Sequence, residues 1–229
     1  MAERLMQEGD ARGLQNAIVL VTSEHQSNTQ WGTAFVVHSE ERFTYLLTCA
    51  HVVHNVGGNE MVRAGDRHAT VVAIGLEDVD VAVLRVDGRL DLQSLPLHTS
   101  AKTGGTFRSA GFVKLEKFFE SKPLGGTFDK PVGIYARGKL TGHKAWELRI
   151  EEGEALQPGL SGSPVVTENN RCVAIVTHQK GTTGERGIAI SVGVLPSIWQ
   201  NMPEEIFAVP PAKGSSLAFA TNRLLFSRS

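Results

Sequence analysis

The sequence predicts an all-β protein, a barrel or a sandwich, and three features carry that prediction. Glycine is abundant, with 24 among 229 residues. The apolar segments are short, rich in valine and separated by Gly, Asn, Asp or charged breaks, as strands joined by turns would be. Helical periodicity is weak everywhere except near the C-terminal end.

In chain order the strands are expected at AIVLV (17–21), GTAFVV (32–37), TYLLTC (44–49), ATVVAIG (69–75) and DVAVLRV (80–86). A second series follows at TFRSAGFV (106–113), WELRI (146–150), SPVV (163–166), RCVAIVTH (171–178) and GIAISV (187–192). Their β-branched side chains are stiff at χ1 and pack well on a pleated surface. LPSIWQNMPEEIF (195–207) reads as a short helix with Ser197 as its cap. AVPPAKGSS then forms a Pro/Gly/Ser linker into a tail, so residues 209–229 are set apart from the folded domain, as are residues 1–14.

Composition narrows the function classes. Acidic and basic residues nearly cancel, 24 against 23, and no long single-sign run occurs. Nucleic acid and membrane surfaces therefore have no electrostatic footprint here. The apolar runs are too short to span a bilayer, and MAERLMQEGDARGLQ lacks the apolar core of a secretory signal. Two cysteines, Cys49 and Cys172, make no disulfide framework, so a cytoplasmic location is expected.

The chemistry centres on QPGLSGSPVV (157–166), where Ser161 stands between glycines. A tight turn alone would explain the glycines. A nucleophile whose backbone must approach a substrate would explain them too. Serine is a weak nucleophile that needs an adjacent base, usually a histidine oriented by a carboxylate. Of eight histidines, His51 is the distinctive one, placed in YLLTCAHVV directly after an apolar strand. Asp80 opens the strand DVAVLRV and is the expected acid, with Asp78 as its competitor.

Those residues resemble the trypsin/chymotrypsin-like serine peptidases, and within them the bacterial, disulfide-free branch that includes the HtrA-type proteases. The family's T-[AC]-A-H motif falls on Thr48 to His51, D-[VI]-A-[VL]-L on Asp80 to Leu84, and G-x-S-G-x-P on Gly159 to Pro164. The order His, Asp, Ser makes the match specific over about residues 15–205. The resemblance implies two antiparallel six-stranded β-barrels with a short C-terminal helix, in a protease domain spanning 15–208. The first barrel would cover about 15–95 and the second about 105–195. It implies a serine endopeptidase working through His51, Asp80 and Ser161 and an acyl-enzyme, with the amides of Gly159 and Ser161 as the oxyanion hole. Thr177, His178 and Gln179 would lie along the substrate backbone. Ala155 would form the base of the specificity pocket, with Gly187 on its wall, favouring an uncharged residue before the cut. Glu154, one position upstream, offers the opposite possibility of a basic preference.

The chain departs from the secreted digestive enzymes at the serine motif, where Ser163 also replaces a glycine. Leu160 occupies the place where they carry an aspartate that pairs with a newly cut N-terminus, so activation by that ion pair is not expected. The expected partners are a protein or peptide substrate, with a regulatory protein as a further option, and no cofactor or metal is required. Three other readings compete for the same residues. GLSGS lacks the final glycine of a G-x-S-x-G nucleophile elbow, and the chain does not alternate strands with helices. Cys49, His51 and His54 form a C-x-H-x-x-H cluster, but no second ligand pair has zinc-site spacing. A catalytically silent trypsin-like domain used as a protein-binding module is the rival from another class. Such domains usually lose a triad member, and none is lost here.

Overall fold

The structure is a computed structural model that describes residues 13–75, 79–136 and 139–207. The first half begins with β1 (Ile18–Ser23), β2 (Gly32–Ser39) and β3 (Phe43–Thr48), followed by a short helix, α1 (Ala50–Asn55). β4 (Val62–Ala64), β5 (Arg67–His68), β6 (Thr70–Ile74) and β7 (Ala82–Asp87) complete it. These strands form one antiparallel sheet in the order β5-β4-β1-β2-β3-β7-β6. Its two outermost strands, β5 and β6, are separated only by Ala69, whose N–H donates to Val62 O at 2.9 Å. One bent strand thus pairs with β4 at its start and β7 at its end, which curls the sheet into a barrel of six continuous strands.

The second half holds β8 (Thr106–Leu115), β9 (Phe118–Ala136), β10 (Lys139–Ile150), β11 (Pro164–Thr167), β12 (Cys172–Gln179) and β13 (Arg186–Ser191). They close a barrel in the order β10-β13-β12-β11-β8-β9. Its core includes Phe107, Phe128 and Trp146, whose rings meet in sequence at centroid distances of 5.5 and 5.1 Å. The first barrel buries Phe35, Leu46, Leu47 and Leu84 completely. Each such side chain stabilises the fold by about 1.5–3 kcal/mol. The linker between barrels is stitched to both, since Leu95 N–H donates to Val36 O and His98 N–H to Cys172 O, each at 2.9 Å.

Several elements differ from the sequence expectation. β9 runs through Pro123, Gly125, Gly126 and Pro131, residues that argue against a strand, yet it is 19 residues long. Gly126 is required sterically, because a Cβ would collide with Arg149 O and the Phe107 ring. At the C-terminal end, α2 (Leu195–Ile198) is only four residues long. Ser197 does not cap it; its hydroxyl donates back to Val194 O at 2.6 Å. Ser191 has the capping role, accepting from Gly193 N–H ahead of the helix. Pro203 then confines the remainder to one 3-10 turn, Glu204–Ile206. Residues 209–229 and Asp78 lie outside the described residues.

Outside the second barrel, the Glu147 carboxylate is 1% exposed beneath Lys180 at 2.9 Å, Arg186 at 3.2 Å and Lys130 at 3.7 Å. The Lys180 hydrogen bond, against the cost of burial, holds its carboxyl below the ordinary value of 4.5.

Candidate functional site

β3 carries buried Leu46, Leu47 and Thr48 to the barrel end, where Cys49 is still extended and the chain turns into α1. His51 therefore sits in a helical first turn, with its side chain 38% exposed. Asp80 stands just ahead of β7, the strand paired with β3. The two residues meet through both halves of the carboxylate. His51 N–H donates to Asp80 Oδ1 at 2.8 Å, and His51 Nδ1 lies 2.6 Å from Oδ2. Burial pushes the Asp80 carboxyl up, but the hydrogen bond and charge of His51 outweigh it and hold it below 3.8. An ionised carboxylate only accepts, so Nδ1 carries the proton and Nε2 is left as an acceptor.

The Ser161 loop is held by the opposite barrel. Thr33, on β2, donates its N–H to Ser161 O at 2.9 Å and its hydroxyl to Gly159 O at 2.8 Å. Thr33 Oγ1 also accepts from Phe112 N–H at 2.8 Å, and Thr48 donates to Thr33 O at 2.7 Å. Within the loop, Leu160, Gly162 and Ser163 N–H groups are taken by Gln157, Val176 and Leu160 carbonyls. Among the described residues, the Gly159 and Ser161 amides donate to no protein acceptor. Gly159 and Gly162 have φ of +94° and +90°. A Cβ on Gly159 would strike Trp31 Nε1 and Phe112 O, and one on Gly162 would strike Thr33 O. Both glycines are thus fixed by conformation and by close approach.

Ser161 and His51 line one cleft of about 380 Å³. The Ser161 hydroxyl donates across it to Thr177 O at 2.9 Å. Thr177, His178 and Gln179 line the same cleft. β11 pairs with β12 only as far as Ile175, and Gly162 and Ser163 occupy Val176. Among the described residues, the next three of β12 therefore present a strand edge with no partner strand on that side.

Ala155 and Gly187, expected at the pocket base and wall, do not line this cleft. Leu156 does, and its Cδ1 lies against Gly187, filling the space beside that glycine. The Glu154 carboxylate accepts from Gly125 N–H at 2.9 Å, toward the β8–β9 hairpin. Leu160 is 1% exposed and belongs to the second core. Ligand atoms of Cys49, His51 and Asp80 lie within 4.8 Å of one another, while exposed His54 is outside that group. They suit a metal poorly. Burial, with Asp80 nearby, pushes the Cys49 thiol well above 9.0, and its Sγ donates to Val176 O at 3.2 Å.

Sequence reasoning missed Thr33, Trp31 and the hydrogen-bonding role of Thr48. A hydroxyl inside a largely buried apolar strand was the available signal for the two threonines, because such a group must find a partner.

Comparison with known proteins agrees with the geometry. The chain matches the model of the trypsin-like peptidase domain over residues 32–175. No curated protein sequence matches it. Among solved structures, it is similar to the Rv3671c protease of M. tuberculosis. The inactive form of a serine-to-alanine mutant is 25% identical, with 84% of this chain and 91% of that chain covered and a TM-score of 0.62. The active form gives 22% identity, 92% and 89% coverage and a TM-score of 0.65. The HtrA-type protease AlgW with a tripeptide gives 22% identity, 84% and 62% coverage and a TM-score of 0.64. A family match over more than half of the chain, on two barrels that bring a serine and a histidine held by an aspartate to one cleft, leads to one conclusion: this chain belongs to the trypsin-like peptidase domain family.

Proposed function

We propose that the protein is a serine endopeptidase acting through His51, Asp80 and Ser161. The observation that carries this reading is the two-point His51–Asp80 contact beside a serine whose loop leaves two backbone donors unused. Ser161 Oγ attacks the scissile carbonyl while His51 Nε2 takes its proton. The amides of Gly159 and Ser161 then stabilise the oxyanion. His51 returns the proton to the leaving amine, an acyl-enzyme remains, and water hydrolyses it by the same route. Asp80 keeps the imidazole in the required tautomer and stabilises its cation.

One rearrangement is required. The Ser161 hydroxyl must leave the Thr177 carbonyl and turn to His51, a rotation between staggered χ1 wells. A substrate strand added along Thr177–Gln179 supports that turn by competing for the Thr177 backbone. Leu156, Leu160 and Val176 give the cleft an apolar lining, which supports an uncharged residue before the cut. With Glu154 committed to Gly125, a basic preference has no carboxylate at hand. Buried Leu160 supports competence without N-terminal processing, and the cysteine usage supports a cytoplasmic setting.

The engaged Ser161 hydroxyl is the one observation that favours the silent binding module. Fluorophosphonate labelling decides between the two. Wild type should be labelled and Ser161→Ala should not; an unlabelled wild type would sink the peptidase reading.

A further inference from the structure

Two of the three exposed large apolar side chains among the described residues, Leu115 (50%) and Phe118 (72%), sit at the tip of one hairpin, β8–β9. The adjoining Phe119 ring meets Trp31 at 5.6 Å between centroids. Lys114 Nζ lies 5.6 Å from the Trp31 ring centre and 5.7 Å from that of Phe119. Lys114 makes no ion pair among the described residues. The hairpin springs directly from the site, because Phe112 O and Trp31 Nε1 are the atoms that crowd Gly159. The cleft is lined by Leu156, Pro158 and Thr177–Gln179, whereas Trp31 and Phe112 lie against Gly159. With the residues before the cut in that cleft, those after it have a path past Gly159 toward Trp31.

We propose that Trp31, Phe119 and Lys114 form a binding ridge for the segment after the scissile bond, selecting an apolar or aromatic residue together with an acidic one. This rests on the peptidase reading above. The aromatic faces supply an apolar platform that costs little ordering entropy. The Lys114 ammonium, already drawn to the rings, is an unpaired cation facing solvent, where a substrate carboxylate can reach it. Phe118 and Leu115 extend the platform outward, which accounts for apolar exposure that the fold does not need.

Acyl transfer reads this region separately from the cleft. An ester acylates the enzyme and releases its alcohol, leaving the region after the cut empty. Added dipeptide amides then compete with water for the acyl group. In wild type, an acceptor with Phe and Asp should outcompete Gly-Gly-amide by about tenfold, near the lower end of what apolar subsites supply. Phe119→Ala should remove the Phe preference, and Lys114→Glu should reverse Asp to Lys. Trp31→Phe, which keeps an aromatic face, should preserve the ranking. No alcohol release from wild type would defeat the peptidase reading and this proposal together. Release with the same acceptor ranking in wild type, Phe119→Ala and Lys114→Glu would overturn the ridge alone.

Discussion

The two sides of the cleft are held in different ways. His51 and Asp80 come from one barrel, on paired strands, and are already joined by two hydrogen bonds. Ser161 belongs to the other barrel, is positioned by Thr33 from across the interface, and has its hydroxyl on Thr177. The His51–Asp80 pair is a local feature of a strand–helix junction. The position of Ser161 is a property of the interface between barrels. Substitutions far from the chemistry should therefore disturb Ser161 more readily than His51.

The largest effect should come from deleting either partner. Ser161→Ala or His51→Ala should lower kcat by roughly 10⁵ to 10⁶, read from hydrolysis of a peptide library. Residual turnover near wild type in Ser161→Ala would end the assignment. Asp80→Asn should cost about 10⁴ by favouring the wrong tautomer. A control on Asp78, loss of activity in Asp78→Asn with Asp80→Asn spared, would show the acid misassigned. The same variants test independence of the two sides by NMR. The downfield His51 Nδ1 proton should vanish in Asp80→Asn and persist unshifted in Ser161→Ala.

Thr33→Val sharpens the contrast further. It removes a buried hydroxyl that serves both Gly159 O and Phe112 N–H, leaving two unsatisfied groups at about 1–3 kcal/mol each. Thermal stability should fall, and kcat should drop by up to about 100-fold through displacement of the loop. The His51 proton should stay where it is. A shift of that proton as large as the loss of turnover would mean the sides are coupled after all.

The smallest effect lies away from the cleft. Glu147 and Asp80 both have carboxyls held below their ordinary values of 4.5 and 3.8. Groups of this sign contribute stability that is complete above those values and lost as pH falls through the lowered ones. Glu147→Gln should therefore lower Tm modestly at neutral pH, since its cations are half-exposed, and the gap from wild type should close below about pH 4.5. A gap that widens in acid would contradict the sign.

What the sequence disclosed follows the same division. Residues whose chemistry depends on local order, His51, Asp80 and the 159–164 turn, are visible as motifs. The ten expected strands all lie within observed ones or overlap them, because each alternates or runs apolar over a short length. β9 was invisible because its prolines and glycines break the pattern, while its hydrogen bonds come from β8 and β10 on either side. β4 and β5, three and two residues long, carry no period to detect. α1 is a single short helix forced by the need to turn the chain after Cys49. The placement of Leu156 over Gly187 depends on a contact between separate loops, which no local pattern encodes.

The continuous strand through Ala69 has a consequence for how the molecule behaves in a crowded solution. A sheet that ends in two open margins can recruit a neighbour's strand and grow by stacking chains. By folding its first sheet around so that one strand serves both margins, and closing its second outright, the protein keeps open margins few. One that remains, at residues 177–179, lies beside Ser161. Under the proposed chemistry, an extended chain that docks there is cut and released. Among the described residues, few strand margins are thus left open to a neighbouring chain, and at this one the proposed chemistry would remove what docks.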